Sequence, residues 1–139
     1  MLRALVVDDN VKTLKVLSER LLASGEFHVV GWAGSGAEAL VHADVFDPDM
    51  VLLDLSLGDM SGLDVATQLK RSPRPPYIAI VSTNDVAAYA SAAAQAGADA
   101  FVSKWEFAER LPGLIADALE YIAAAPSRLS PPEGFHKVE

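Results

Sequence analysis

Short apolar runs alternate with stretches of helical period along the chain, and each run ends on polar residues. Leu2 to Val7 predicts a first strand that stops at Asp8-Asp9-Asn10. Asn10 suits an N-cap, and Val11, Leu14, Leu17 and Leu21 then recur at helical spacing until Gly25 ends the helix. Phe27 to Ala33 predicts a second strand. Ser35 and Glu38 have capping-box spacing and open a second helix, expected to turn Ala37, Leu40 and Val41 inward. Asp47-Pro48 closes that connection. Met50 to Leu53 has no polar break, which is the pattern of a strand buried on both faces. It delivers Asp54 to the point where the chain leaves the sheet in a turn spanning Gly58 to Gly62.

A third helix is expected from Leu63 to Lys70, closed by the stretch Pro73 to Pro76. Tyr77 to Val81 predicts a fourth strand ending at Ser82-Thr83-Asn84. Val86, Tyr89, Ala90 and Ala93 repeat at helical spacing and predict the inward stripe of a fourth helix that stops at Gly97. Ala98 to Ser103 predicts the fifth strand, with Lys104 directly after it. Phe107, Leu111, Leu114, Ile115, Ala118 and Ile122 mark the last helix. Pro112-Gly113 falls inside that pattern. It predicts a helical turn over Glu106 to Arg110, a kink or restart at Leu111 to Gly113, and regular helix from there to Ala124.

Five strands each followed by a helix imply an α/β fold, a parallel sheet covered on both faces, because parallel strands need long right-handed crossovers. Ligands of such sheets bind beyond the carboxyl ends of the strands. Asp8, Asp9, Asp54, Ser82, Thr83 and Lys104 all stand at those ends. Singly, each reads as a cap, a turn residue or a solvated charge. Together they bring carboxylates, hydroxyls and an ammonium to one crevice. Carboxylates roughly 4 Å apart repel by about 4 kcal/mol at an effective dielectric near 20, so the acids call for a counter-charge. Lys104 supplies one, and a hard divalent cation such as Mg²⁺, which prefers oxygen ligands, supplies more. With the metal in place, Asp54 can attack phosphorus to give an aspartyl phosphate.

Composition narrows the classes. At 139 residues, 51% hydrophobic and 22% charged, the chain is one globular domain by length. A net charge of −8 excludes direct nucleic-acid binding by this chain, since the only basic grouping, Lys70, Arg71 and Arg74, is small. The absence of cysteine excludes disulfides, thiol catalysis and zinc-thiolate sites. No apolar run reaches membrane-spanning length and the first residues lack a signal-peptide layout, so a cytoplasmic protein without a membrane partner is expected. The pattern stops near Ala125. Residues 1–124 are therefore expected to form the domain and 125–139 a proline-rich tail or linker, too short for an output domain.

The chain resembles the receiver domains of two-component response regulators. The resemblance rests on VVDDN at Val6 to Asn10, VLLDLSLGDMSG at Val51 to Gly62, IVST at Ile80 to Thr83 and GADAFVSK at Gly97 to Lys104, in the five-fold strand-helix order. It implies a doubly wound, flavodoxin-like five-stranded sheet of order 2-1-3-4-5. It also implies that Asp54 is the phosphoacceptor and that Asp8 and Asp9 hold Mg²⁺ with Asp54 and the Ser56 backbone carbonyl. Lys104 then matches the phosphate-binding lysine, Ser82 the switch hydroxyl with Thr83 beside it, and Phe101 the aromatic that turns inward. The implied partners are a histidine kinase or phosphotransfer protein, and a downstream protein or second copy docking on the fourth helix, fifth strand and last helix. Apart from its own phosphorylation and slow dephosphorylation, no enzymatic activity is implied. The segments around the first two helices look most like receivers that precede helix-turn-helix domains, yet the tail starts no such motif, and a stand-alone receiver is preferred over an excised piece.

The departures from that family are local. Gly58 stands where a proline is usual and is followed by an extra acid, Asp59, which predicts a more mobile loop. Trp105 follows Lys104 where a proline is common, so no cis peptide is expected there. Two other readings compete. Gly34 to Ala39 fits G-x-G-x-x-A, as in dinucleotide-binding enzymes, but Glu38 would repel a pyrophosphate. Phosphatases that use an aspartyl phosphate share the nucleophile and metal, but they resemble D-x-D, and Ser56 stands at the second acid. His28, His42 and His136 share no ligand spacing and read as surface or strand residues, and Trp32 and Tyr89 as packing residues.

Overall fold

The computed structural model describes residues 1–83 and 86–125. The strands are β1 (Leu2–Val7), β2 (Phe27–Ala33), β3 (Met50–Asp54), β4 (Tyr77–Ser82) and β5 (Ala100–Ser103). Between and after them run α1 (Val11–Ala23), α2 (Gly36–Phe46), α3 (Gly62–Lys70), α4 (Val86–Gln95) and α5 (Phe107–Ala124), with a 3-10 turn at Lys104–Glu106. All strands pair in parallel in the order β2-β1-β3-β4-β5. The expected doubly wound architecture is the one observed. Asn84 and the expected tail beyond residue 125 lie outside the described residues.

Alternate residues of the central strands feed two cores. Ala4, Val6, Met50, Leu52, Tyr77, Ala79 and Val81 face α1 and α5, meeting Leu14, Leu17, Leu21, Leu111 and Leu114. Leu5, Val7, Val51, Leu53, Ile78 and Ile80 face α2, α3 and α4, meeting Ala39, Val65, Leu69 and Ala93. Every residue of β3 and β4 is buried, which is why both read as unbroken apolar runs.

Strand register decides what meets at the carboxyl edge. Val7 pairs with Leu53, which sets Asp8 beside Asp54. Asp54 pairs with Val81, and Ser82 with Ser103, so Ser82 and Lys104 follow one step further along the same edge.

Several expectations need correction. In α2 the residues turned to the core are Gly36 and Ala39, with Leu40 half-buried, whereas Ala37 and Val41 are exposed. Gly36 fixes this rotation, because Met60 packs directly on it and any Cβ there would collide with the Met60 side chain. In α4 Tyr89 and Ala90 are exposed and Ala93 is buried; the Val86 side chain lies outside the described residues. A helix this rich in alanine is apolar all round, and the pattern alone cannot set its phase. Val11, the first residue of α1, is exposed rather than part of the core stripe. Finally, α5 is continuous across Pro112. Phe107 and Leu111 are buried before the proline and Leu114 and Ala118 after it, so packing holds one helix together while Pro112 faces solvent.

The ends of the helices follow local chemistry. Asn10 Oδ1 accepts from the N–H groups of Lys12 and Thr13. Gly97, at φ 95°, closes α4: its N–H reaches Ala94 O and the Ala98 N–H reaches Ala93 O, the paired bonds of a left-handed C-terminal stop. That stop consumes Ala98, so β5 begins at Ala100 rather than Ala98. No described peptide bond is cis, including the one after Lys104.

Candidate functional site

An open cleft of about 650 Å³ lies at the carboxyl edge of the sheet, and Asp8, Asp9, Asp54, Ser56, Ser82, Thr83 and Lys104 all line it. The crevice expected from the sequence is thus assembled in full. Phe101, expected as the switch aromatic and not as a cleft residue, lies outside it. It is half-buried on the α3/α4 side, opposite Ile80 in register and on the same face as Ser82.

The acids are held differently. Asp8 is buried; its Oδ1 accepts from the Asn10 N–H at 2.9 Å, and its own N–H donates to Ala33 O. Asp8 Oδ2 has no aligned hydrogen bond, and its close neighbour is the Lys104 ammonium at 2.8 Å, a charge contact. Asp54 is buried at the end of β3, with Oδ1 3.5 Å from the same ammonium. Asp9 is exposed at the mouth. Carboxylate oxygens of Asp8, Asp9 and Asp54 lie within 4.8 Å of one another, so the cluster could hold a metal ion. An all-oxygen set with one buried, poorly satisfied carboxylate oxygen fits a hard divalent cation.

Burial, then the charge of Asp8, raises the pKa of Asp54 from 3.8 to about 6; Lys104 opposes this and Asp9 adds to it. Burial disfavours charge on Lys104, but its contact with Asp8 and the charge of Asp54 outweigh that and hold its pKa above the ordinary lysine value. At neutral pH Asp54 is therefore mainly an ionised carboxylate, more basic than usual, beside a firmly charged ammonium.

Sequence reasoning missed part of the cleft lining. Lys12, Thr13 and Val16 of α1 also line the cleft, as does Trp105, 82% exposed. On α1 these are the residues opposite the core stripe, which carried no signal beyond exposure. The β3–α3 loop, expected to be mobile, is tied at several points. Ser56 bridges to Ser61, the Gly62 N–H donates to Leu55 O at 2.7 Å, and Asp59 accepts from the N–H groups of Gly36 and Ala37.

Those last bonds bear on the dinucleotide reading. A pyrophosphate would need the first N–H groups of α2. Asp59 holds those of Gly36 and Ala37, Ser35 Oγ holds that of Glu38, and Glu38 holds that of Gly34. The helix entrance is filled with carboxylates.

Comparison with known proteins decides the family. Residues 4–116 match the response regulator receiver domain. The chain belongs to the response regulator receiver family. Among relatives of this receiver, the response regulator VraR of Staphylococcus aureus is 31% identical over 132 residues, covering 94% of this chain and 60% of VraR. A protein-glutamate methylesterase/protein-glutamine glutaminase of Myxococcus xanthus is 33% identical over 140 residues, covering 94% of this chain and 40% of that protein. The chain therefore spans about half the length of these relatives. In structure, the receiver domain of the response regulator NarL from Mycobacterium tuberculosis matches with a TM-score of 0.79 at 29% identity, over 86% of this chain and 96% of that one. Among the described residues of this receiver, no helix is long and apolar enough to cross a membrane.

Proposed function

We propose that this receiver takes a phosphoryl group onto Asp54 from a phosphohistidine of a histidine kinase or phosphotransfer protein, and that the modified domain signals to a protein partner. The observation that carries the reading is the placement of one ammonium, Lys104, between the buried acid Asp8 and Asp54 in an open cleft.

Asp8, Asp9, Asp54 and the Ser56 backbone carbonyl are the groups that would hold Mg²⁺. When bound, the ion neutralises the acids and stabilises charge on the transferring phosphoryl oxygens. One oxygen of Asp54 forms the bond to phosphorus as the bond from phosphorus to the imidazole nitrogen breaks, and that nitrogen keeps the electron pair and takes a proton. Lys104 then trades part of its contact with Asp8 for a phosphoryl oxygen, where its charge is worth most. Ser82 and Thr83 bring hydroxyl groups to the same cleft. Loss of the phosphoryl group needs water attacking phosphorus. Ser56 stands where aspartyl-phosphate phosphatases carry their second acid, so turnover is expected to be slow and the domain to act as a switch rather than an enzyme.

A phosphoryl group adds about −1.5 to −2 charges at the edge of the sheet. Ser82 and Phe101 share a face, so movement of Ser82 toward the phosphate frees room into which Phe101 turns. This reshapes the α4–β5–α5 surface, where the low bulk of Ala87, Ala88 and Ala94 suits a docking protein or a second copy. Transfer of labelled phosphate from a phosphohistidine donor, lost in Asp54→Asn and retained in Asp9→Asn at raised Mg²⁺, tests the reading. Label that persists in Asp54→Asn would overturn it.

A further inference from the structure

We propose that Asp59 is the positioning residue of the candidate metal site: by gripping the start of α2 it holds the β3–α3 loop, and with it the Ser56 carbonyl, ready for the cation. The inference rests on the reading of Asp8, Asp9 and Asp54 as a Mg²⁺-dependent phosphoacceptor site.

Asp59 Oδ1 accepts from the Gly36 N–H at 2.8 Å and Oδ2 from the Ala37 N–H at 2.9 Å. One carboxylate thus ties the active-site loop to an element more than twenty residues away in sequence. Both donors are first-turn amides that lack partners within their own helix, and a negative charge is favoured there. The bonds from Gly36 and Ala37 hold the Asp59 carboxyl below its ordinary pKa, so it stays ionised and gripping. Ser35 Oγ caps a different donor of α2, the Glu38 N–H at 3.1 Å, from within the same segment. The Asp59 bonds satisfy two more first-turn amides and, because they come from another element, also tie the loop to α2.

The loop is closed at its base and anchored at its tip. Its base is closed by the Ser56–Ser61 bridge and by Gly62, whose missing side chain lets the Asp54 carbonyl and Leu55 Cα lie against it. Leu57 is buried and Met60 packs on Gly36. Gly58, between them, has open space around it: a Cβ there would meet nothing within 4 Å. A glycine at that point gives the chain its widest backbone freedom next to Ser56 and Leu57. Asp59 is the polar anchor that removes this freedom in the folded state.

The test is calorimetric titration of the full chain with Mg²⁺ alone, alongside thermal unfolding. Asp59→Ala is expected to raise the Kd for Mg²⁺ about ten-fold, as loss of a group that orients a metal ligand does, with phosphorylation by acetyl phosphate recovering at saturating Mg²⁺. Adding Gly58→Ala, which restores no charge but stiffens the loop, should recover at least half of the lost affinity. Ser35→Ala, which removes the other cap of α2 and touches no loop residue, should lower the unfolding temperature and leave the Kd unchanged. If Asp59→Ala binds Mg²⁺ like the unsubstituted protein, or Ser35→Ala weakens binding as much, or Gly58→Ala gives no rescue, Asp59 is a helix cap alone and the inference falls. If the unsubstituted protein itself binds no Mg²⁺, the reading of the site fails and takes this inference with it.

Discussion

The ammonium of Lys104 lies 2.8 Å from Asp8 Oδ2, so it sits on the buried carboxylate oxygen that a divalent cation would also use. On the proposed reading, lysine and metal would compete for Asp8 before phosphorylation and cooperate on the phosphoryl group afterwards. Lys104→Ala should consequently separate the two. Mg²⁺ affinity is expected to rise about five-fold, since a repelling charge worth about 1 kcal/mol is gone. The rate of phosphorylation by acetyl phosphate is expected to fall about 10²-fold, the usual cost of one aligned donor. Calorimetry and single-turnover kinetics on the same variant check both.

Asp54 makes stability depend on pH in a direction opposite to that of an ordinary surface carboxylate. Its pKa is raised from 3.8 to about 6 by burial and by Asp8, so the folded state holds this proton more tightly than the unfolded chain. Its contribution is most favourable below pH ~4 and is lost as pH rises through about 6. The full shift corresponds to about 3 kcal/mol, discounted to about 1–3 because the carboxylate borders an open cleft. Asp54→Asn should thus stabilise the metal-free protein by about 1–3 kcal/mol at pH 8 and by almost nothing at pH 4, read by urea unfolding at both.

Gly62→Ala should damage fold and site together. The added Cβ would run into the Asp54 backbone carbonyl and within 3.0 Å of Leu55 Cα, neither of which can swing away as a side chain can. A loss of about 2–4 kcal/mol is expected, in the range of severe core overpacking, together with displacement of Asp54. Gly36→Ala meets the flexible Met60 side chain and should cost less. Denaturation midpoints of the pair give the ranking.

Pro112→Ala should stabilise. The proline sits within the continuous α5, exposed, and deprives the Ala108 carbonyl of its helical partner. Replacing it restores one donor, and a gain of about 1–3 kcal/mol is expected, seen as a higher unfolding temperature with phosphorylation unchanged.

What the sequence made legible follows from where the signal is local. β1 and β3 were readable because buried parallel strands are apolar on both faces and end at charged groups, as Val7-Asp8 and Leu53-Asp54 do, and the edge strand β2 because a short apolar run stands between Gly25 and Gly34. The same endings exposed the residues that line the cleft, since Asp8, Asp54 and Lys104 all follow strands that share one edge. Helix rotation was not legible in α2 and α4, where alanine and valine occupy every face. Nor was continuity across Pro112, because the packing of Phe107 and Leu111 outweighs a local preference. The grip of Asp59 on Gly36 and Ala37, and of Lys70 on Asp99 and Tyr121, joins residues distant in sequence, and no periodicity reports such pairs.

The central claim is that Asp54 takes the phosphoryl group in a Mg²⁺-dependent step. Intact-mass spectrometry after incubation with acetyl phosphate tests it most directly. The unsubstituted protein should gain the mass of one phosphoryl group with Mg²⁺ present and none with the metal chelated, and Asp54→Asn should gain none in either case. Equal modification of Asp54→Asn, or undiminished modification of the unsubstituted protein without Mg²⁺, would contradict it.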